Sequence, residues 1–270
     1  MGYILSCATI PPRVDKLIQV INYSTRLRFK YFIINICVDY KRFGKYKISK
    51  DLIRLAKNDK RIIINIVNDF GPITKMIGAF KIAPKLKINK YDKIVIIDDD
   101  TIYHPDLFND LINNKTTDNI TTGSGFDFVN EQYKIVEGKC DVCEGYGGIC
   151  FDVDQLDDFI LWYVMFYKHF NFKQEDPVSK YLQASFLGDD FIISNIYPNK
   201  EAIQQGRRYI NPQQYGFTSD ALHQNNVFGS NMGSYKYLND NIDVLNTFKN
   251  KYTLNKSIHD EIPRIPSTTN

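Results

Sequence analysis

The sequence has no excess of one charge and no long apolar run. It balances 34 Lys and Arg residues against 31 Asp and Glu residues, a formal net charge of +3. Nucleic-acid binders gather their basic residues on one face or stripe, so this mixture predicts no nucleic-acid partner. The longest apolar run, Phe159 to Tyr167, is much shorter than the ~20 residues that a bilayer requires. We therefore expect no transmembrane segment.

The N-terminus also lacks the features of an export signal. The first ten residues carry neither a basic stretch nor a recognisable cleavage site, and they lead directly into Pro11-Pro12-Arg13. Gly2 and Ser6 fit a myristoylation pattern, but Tyr3 to Leu5 are better interpreted as a buried strand. These observations predict a cytoplasmic protein.

The chain contains five cysteines, an odd number that favours reduced thiols over a disulfide framework. Cys140, Cys143 and Cys150 also allow a structural zinc ion, but three thiols at this spacing do not match a paired C-x-x-C site. We interpret them as free thiols. The composition, 43% hydrophobic and 14% aromatic, is sufficient for a packed core and excludes a disordered chain.

Strand and helix patterns alternate over the first hundred residues. The predicted strands are Tyr3 to Ala8, Tyr31 to Val38, Arg61 to Val67 and Lys93 to Ile97. Helical spacing separates them, over Asp15 to Leu27, from Ser49 to Leu55 and over Ile73 to Ile82. Nearly continuous apolar strands separated by helices are typical of an α/β fold, with a mostly parallel open sheet flanked by helices.

The remaining sequence is less regular. It predicts helices over Asp106 to Ile112, Gln155 to Phe170 and Asp189 to Ile196, a strand over Thr121 to Phe128, and a Cys- and Gly-rich loop over Gly138 to Gly148. No linker or internal repeat divides the chain. We expect a single domain over residues 1–262, with halves 1–104 and 105–262, followed by a loose tail over 263–270.

Charged residues follow the predicted strands at the edge where an open α/β sheet binds its ligand. They are Arg13, Asp39, Asp69 and the triplet Asp98-Asp99-Asp100. Alternate residues of an extended segment share a face, so the first and third carboxylates of the triplet could together hold Mg²⁺ or Mn²⁺. The alternative is a solvated acidic turn that precedes a helix. His223 is a candidate third ligand, and a structural role for it is equally compatible with the sequence.

Three further segments carry candidate functional residues. Gly71-Pro72 predicts a tight turn before a helix whose N-terminus, with Lys75, could seat a diphosphate; an ordinary helix start is the alternative. Asp189 and Asp190 could cap a helix or provide a general base. The glycines that follow Glu144 could leave space for a substrate.

Taken in order, these segments resemble the nucleotide-diphospho-sugar (GT-A) glycosyltransferases, in particular small microbial and viral ones with a DxD-type metal motif. The matching segments are Thr9 to Arg13 (with one position different or shifted), Asp69 to Lys75, Asp98 to Tyr103, Gly145 to Gly148, Asp189 to Ser194, and Ala221 to His223 with Asn225 and Asn226. They cover nearly the whole chain. The resemblance implies a GT-A Rossmann-like sheet and transfer of a sugar, with a UDP-sugar favoured as donor.

The resemblance assigns donor and metal roles to residues of the first half, the nucleotide-binding half. Asp39 and Asp69 would hold the base and ribose in a pocket lined by Thr9 and Arg13, and Asp98 or Asp99 would contact the ribose. Lys75 would assist with the diphosphate. The residues that would ligate Mn²⁺ or Mg²⁺ are Asp98, Asp100 and His223.

The second half would bind the acceptor, a glycan or a protein- or lipid-linked hydroxyl, through Tyr146, Gly147 and Gly148. Asp190 would be the general base of an inverting reaction, and Asp189 would orient the acceptor, although related enzymes more often carry Glu there. The alternatives are a retaining transferase and a non-catalytic carbohydrate- or nucleotide-binding protein. A nucleotidyltransferase usually carries an N-terminal Gly-rich signature, which Ser6 to Arg13 lacks. The cytoplasm would be that of a host cell if the source is a virus.

Overall fold

A computed structural model describes residues 2–41, 43–129, 132–155, 175–186, 188–203, 210–211, 237–238, 240–244 and 246–247. The predicted helix over Gln155 to Phe170 lies, apart from its first residue, outside these ranges. His223, Asn225, Asn226 and the tail over 263–270 also lie outside them.

The described chain alternates strands and helices along most of its length. The strands are β1 Tyr3–Ala8, β2 Tyr31–Cys37, β3 Asp39–Tyr40, β4 Gly44–Lys45, β5 Ile62–Val67, β6 Lys93–Ile96, β7 Ile102–Tyr103, β8 Ile120–Thr122, β9 Gly125–Val129, β10 Gln132–Val136, β11 Gly138–Lys139, β12 Val142–Cys143, β13 Ile149–Asp152, β14 Lys200–Ala202 and β15 Ile210–Asn211. The helices are α1 Val14–Ser24, α2 Lys50–Asn58, α3 Thr74–Ile82, α4 Pro105–Asn113, α5 Pro177–Ser185 and α6 Asp189–Ile196.

The main sheet has eight strands in the order β11-β14-β8-β13-β6-β1-β2-β5. Strands β6, β1, β2 and β5 are mutually parallel, and β14 is parallel to β8. β13 runs antiparallel to both β6 and β8, and β11 runs antiparallel to β14. The predicted α/β class with a mixed, mostly parallel open sheet is confirmed, and one sheet continues through both halves of the chain.

Helices cover both faces of this sheet. Because successive side chains of a strand point to opposite faces, Ile4 packs on the side of α3, α5 and α6, and Leu5 packs on the side of α1, α2 and α4. Both side chains are fully buried. Burial of one such side chain contributes about 1.5–3 kcal/mol. This explains why the central strands are apolar at consecutive positions.

Two predictions in the second half were wrong. The segment predicted as one strand over Thr121 to Phe128 forms β8 in the main sheet and β9 in a three-stranded sheet. The chain turns at Gly123, where a Cβ atom would overlap the backbone carbonyl oxygen of Gly147. The segment predicted as a loop over Gly138 to Gly148 contains β11, β12 and a 3-10 turn.

A buried polar network fixes the start of α3 over the parallel strands. The Asn35 amide nitrogen donates to Ser6 Oγ (2.9 Å) and to the carbonyl of Cys7 (2.8 Å). Ser6 Oγ in turn donates to the carbonyl of Lys75 (2.5 Å). Gly78 lets the helix approach, because a Cβ atom there would overlap the Asn35 side chain. The position of Lys75 is therefore set by hydrogen bonds from β1 and β2.

None of the helices that the described ranges contain is both long and apolar enough to cross a membrane. All five cysteines are buried, and none is in a disulfide.

Glycine substitutions test whether the end of α5 packs against the turn that precedes α3. Gly71 has φ +72°, and an added Cβ atom would overlap the carbonyl oxygen of Phe186 at the end of α5. Gly44 has a similar φ of +69° but no described atom near its Cβ position. We expect Gly44→Ala to lower the free energy of unfolding by about 1–2 kcal/mol, the cost of a left-handed side chain alone. Gly71→Ala should cost about 3 kcal/mol or more, because it adds a backbone clash.

Urea denaturation of the two variants, followed by circular dichroism, measures this difference. Equal losses for Gly71→Ala and Gly44→Ala would contradict the packing of α5 against the turn.

Candidate functional site

A cleft opens at the carboxyl edge of the parallel strands, where β1, β2, β5 and β6 end. Its open volume is about 550 Å³. Its lining residues come from the strand exits, the β3–β4 hairpin and the start of α3: Ala8, Thr9, Ile10, Arg13, Cys37, Tyr40, Phe43, Asp69, Gly71, Pro72, Thr74, Lys75, Asp98 and Asp99. This is the edge at which open α/β sheets bind their ligands.

Six of the seven residues predicted to bind the donor line this cleft: Thr9, Arg13, Asp69, Lys75, Asp98 and Asp99. The seventh, Asp39, has an exposed side chain in β3 and does not line it. Its neighbour Tyr40 does, and its hydroxyl donates to the carbonyl of Thr9 (2.6 Å). Sequence reasoning missed Tyr40 and Phe43, although the aromatic residues after β2 were a usable signal.

The middle carboxylate of the acidic triplet points into the protein. Asp99 accepts hydrogen bonds from Thr9 Oγ1 (2.6 Å) and from Arg13 Nη1 (3.0 Å). Burial raises the pKa of Asp99 to about 6, although the nearby Arg13 guanidinium acts to lower it. These contacts fix the exit of β6 to the exit of β1.

The outer two carboxylates stay partly accessible to solvent. The side chain of Asp98 is 29% exposed and that of Asp100 is 24% exposed, against 4% for Asp99. Burial and the neighbouring charge of Asp98 raise the pKa of Asp100. Exposure therefore alternates along the triplet, although Asp99 and Asp100 lie in a turn. Asp98 lines the cleft and Asp100 does not.

The Lys75 ammonium joins the acidic triplet to α6. Its Nζ atom donates to Asp98 Oδ1 (2.6 Å) and forms an ion pair with Asp189 Oδ2 (2.8 Å). Burial alone would lower the pKa of Lys75, but the charges of Asp189 and Asp98 hold it well above its usual value. Lys75 is therefore charged, and it is the counter-ion of one carboxylate from each half of the chain.

Asp190 lies beside this bridge, in the first turn of α6. Its Oδ1 atom accepts a hydrogen bond from the backbone N–H of Gly145 (2.7 Å). Burial, followed by the charge of Asp189, raises the pKa of Asp190 well above its usual value. A Cβ atom at Gly145 would lie 2.7 Å from Lys75 Nζ and 2.8 Å from Asp190 Oδ1, so a larger residue there would displace these charged groups.

The residues predicted to bind the acceptor differ in their surroundings. Gly147 and Gly148 are both buried, and a Cβ atom at Gly147 would lie 2.5 Å from the backbone nitrogen of Ser124. The absence of a side chain serves backbone packing at Gly147, and at Gly148 it allows the left-handed φ of +74°. Acceptor binding by these residues stays a prediction. Tyr146 is partly exposed, and its hydroxyl donates to Glu144 Oε2 (3.2 Å). The sequence reasoning did not assign a role to Glu144.

The Asp69 side chain binds backbone N–H groups in the wall of the cleft. Its two carboxylate oxygens accept hydrogen bonds from the backbone N–H groups of Lys41 (2.8 Å) and Gly71 (2.9 Å). These bonds connect the segment after β3 to the turn before α3. Asp69 therefore shapes the cleft that it lines.

The described residues contain no group of three or more His, Cys, Asp or Glu side chains arranged to hold a metal ion. Asp98 and Asp100 are carboxylates, the ligand type that a hard divalent cation prefers. Asp98 is paired with Lys75 and Asp100 with Arg13 (3.3 Å), and both carboxylates keep part of their surface accessible.

Removal of the Lys75 charge tests whether its ion pairs with Asp98 and Asp189 stabilise the fold. Lys75→Met leaves the Asp98 and Asp189 carboxylates without their counter-ion, so we expect the free energy of unfolding to fall by about 3 kcal/mol at neutral pH. Lys75→Arg should recover part of the stability.

The matched control is Lys180→Met, which removes the exposed pair between Lys180 and Glu175 and should change stability little. Urea denaturation at pH 7 measures both effects. A loss at Lys75→Met no larger than that at Lys180→Met would contradict the ion-pair interpretation.

No family model matches this sequence, and neither does any curated protein. Among solved structures, the chain is similar to a 4-diphosphocytidyl-2C-methyl-D-erythritol synthase at 10% identity and a TM-score of 0.37, over 67% of this chain and 83% of the other. It is similar to the galactosyltransferase LgtC at 13% identity and a TM-score of 0.37, over 62% and 65% of the two chains. It is similar to the bifunctional glycosyltransferase WbbM at 13% identity and a TM-score of 0.39, over 74% and 38%. Similarity at this level assigns no function, which has to be argued from the chain's own residues.

Proposed function

We propose that the protein is a metal-dependent glycosyltransferase. It moves a sugar from a nucleotide-diphosphate donor, with a UDP-sugar favoured, to a hydroxyl group of a glycan or of a protein- or lipid-linked acceptor. The observation that carries the proposal is the meeting of two acidic groups at the carboxyl edge of the sheet. The triplet that follows β6 and the carboxylates that begin α6 lie on either side of the Lys75 ammonium.

The donor would occupy the cleft at the strand exits. Asp98 and Asp100 would hold Mn²⁺ or Mg²⁺, and His223 remains a proposed third ligand. A divalent cation stabilises the negative charge that develops on a departing diphosphate. Arg13 holds Asp99, the middle residue of the triplet, by a hydrogen bond. Its guanidinium also lines the cleft and adds positive charge there.

Asp190 is the proposed general base. One of its oxygens is held by the Gly145 N–H, which orients the carboxylate, and the other is assigned to the acceptor hydroxyl. A base on the face of the sugar opposite the leaving group gives inversion at the anomeric carbon. Asp189, held by Lys75, would orient the acceptor.

A retaining transferase is the second candidate, and a specific observation favours it. The pKa of Asp190 is raised well above its usual value by burial and by Asp189, which makes its ionised form harder to populate. In that case both carboxylates would only position the substrates. The stereochemistry of the product, read by NMR of the new glycosidic bond, distinguishes the two reactions. A protein that binds a nucleotide-sugar without releasing the nucleoside diphosphate would instead be a non-catalytic binder.

Asp190→Asn tests the general base. We expect it to keep donor affinity and to lower kcat by about 100-fold or more, since a positioned acid–base group contributes ~10²–10⁴. In the wild-type protein kcat should rise with pH, because a base with a raised pKa becomes ionised only as the pH increases. The variant should lose this rise.

The measurement is release of the nucleoside diphosphate against pH, together with calorimetric titration of the donor. A near-normal kcat in the variant would show that Asp190 is not the general base, and Glu144 would be the next residue to test.

Metal dependence is tested by Asp98→Asn and Asp100→Asn, which keep side-chain volume and remove charge. We expect each to weaken Mn²⁺-dependent UDP binding by about 100-fold, the upper end of what even supporting residues of a metal site contribute. EDTA should abolish transfer in the wild-type protein. Asp51→Asn, in the exposed first turn of α2, is the matched control and should bind as the wild type does. Calorimetry with and without Mn²⁺ measures these effects, and full activity in EDTA would exclude the metal role.

A further inference from the structure

Two of the five cysteines lie together away from the cleft at the strand exits. Cys140 follows β11, and Cys143 ends β12, where it lies opposite Gly125 in the β9–β12 ladder. The sulfur of Cys140 packs over the same glycine, since a Cβ atom at Gly125 would lie 2.8 Å from Cys140 Sγ. Cys140 and Cys143 therefore both lie beside Gly125. Each thiol also perturbs the pKa of the other.

The two thiols have unequal access to solvent. Cys143 is fully buried, whereas Cys140 is 8% exposed and lines a second cleft with an open volume of about 1090 Å³. That cleft lies at the ends of β8 and β14 where those strands begin, among Asn119, Asn199 and Lys200. A reagent of the size of a small disulfide fits the cleft and would meet Cys140 first.

The electrostatics follow the same asymmetry. The neighbouring Cys143 thiol lowers the pKa of Cys140 against the effect of burial. The charge of Lys200 also lowers it, whereas the charge of Asp127 raises it. Burial raises the pKa of Cys143 well above its usual value. The cleft and the nearby Lys200 charge therefore favour Cys140 as the attacking thiol and Cys143 as the second thiol of a disulfide exchange.

We propose that Cys140 and Cys143 are a redox-active dithiol, in which Cys140 attacks a small-molecule disulfide and Cys143 closes an internal disulfide with it. The Cys140 thiolate attacks one sulfur of the reagent, forms a mixed disulfide and releases the first thiolate. Cys143 then loses its proton to solvent, attacks Cys140 Sγ and releases the second thiolate. The protein loses two electrons and two protons, and the reagent disulfide is reduced to two thiols.

Two of the remaining cysteines serve as internal controls. Cys7 and Cys150 are fully buried, and burial raises the pKa of each of them. They should stay reduced under conditions that oxidise the Cys140–Cys143 pair.

The pair is also connected to α6. The backbone N–H of Cys143 donates to Ser194 Oγ (3.0 Å), and Ser194 Oγ donates to the carbonyl of Asp190 (2.6 Å). A disulfide that moves β12 would therefore shift the helix that carries the proposed base. This consequence rests on the proposed function, whereas the thiol chemistry does not.

The test uses the full chain, reduced and then exposed to hydroxyethyl disulfide, with intact mass and peptide mapping as readouts. The wild-type protein should lose two hydrogen atoms, with the new bond between Cys140 and Cys143. Cys143→Ser should stop at a mixed disulfide on Cys140, and Cys140→Ser should not react at this pair. Circular dichroism checks that each variant is folded, and Cys143→Ala replaces Cys143→Ser if it is not.

A wild-type protein that stays reduced, or that accumulates the mixed disulfide without closing it, would overturn the proposal. So would a Cys143→Ser variant in which Cys140 reacts no faster than Cys150.

Reagent charge tests whether attack occurs from the second cleft. The charged residues of its lining are four carboxylates, Asp118, Asp127, Asp141 and Glu201, and two ammonium groups, Lys139 and Lys200. A cleft of one dominant sign concentrates ligands of the opposite charge. Cystamine, which is cationic, should react about 10-fold faster than anionic oxidised glutathione at low salt, and added salt should reduce the difference. Equal rates would contradict attack from this cleft.

The link to α6 is measured separately. The oxidised wild-type protein should transfer sugar more slowly than the reduced protein, and the Cys140→Ser, Cys143→Ser double variant should not respond to the oxidant. Disulfide formation without a change in rate would overturn the link and leave the dithiol intact. If neither form transfers sugar, the proposed function fails, and the mass measurements still decide the thiol chemistry.

Discussion

The arrangement of the candidate site depends on one buried cation. Lys75 is held at the start of α3 by hydrogen bonds from β1 and β2, and its ammonium is shared between Asp98 and Asp189. Without it, carboxylates from both halves of the chain would meet in a poorly solvated space. Removal of water makes their repulsion strong, so the ion pair is what permits several acidic residues to lie together.

The ion pairs of Lys75 with Asp98 and Asp189 also restrict the residues that surround them. A side chain at Gly145 would displace Lys75 Nζ and Asp190 Oδ1, because its Cβ atom would lie 2.7 Å and 2.8 Å from them. Arg13 neutralises the other end of the triplet, where it forms ion pairs with Asp99 and Asp100. Each outer carboxylate therefore has one basic partner. A divalent cation bound there would share oxygens that the protein already keeps in position.

The first half of the fold follows closely from sequence pattern. The strands of the parallel group are apolar on both faces and are separated by segments with helical spacing, so their existence and order were predicted with ends within a residue or two. The second half was predicted less well. β13, which lies between β6 and β8 at the centre of the sheet, was missed because its four residues follow the glycine-rich turn and carry no periodic signal. The turn at Gly123 was missed because the atoms that require it come from Gly147.

The sequence by itself determined the α/β class, the strand exits as the place to look, and the residue types that collect there. It could not determine which carboxylate is paired with which cation, because those contacts join residues far apart in the chain. Only the tertiary structure shows that Lys75 lies between Asp98 and Asp189. It also shows that Asp39 does not line the cleft and that Cys140 and Cys143 both lie beside Gly125. The reason is physical: strand and helix patterns follow from local side-chain periodicity, whereas burial, ion pairing and thiol contact depend on which distant segments pack together.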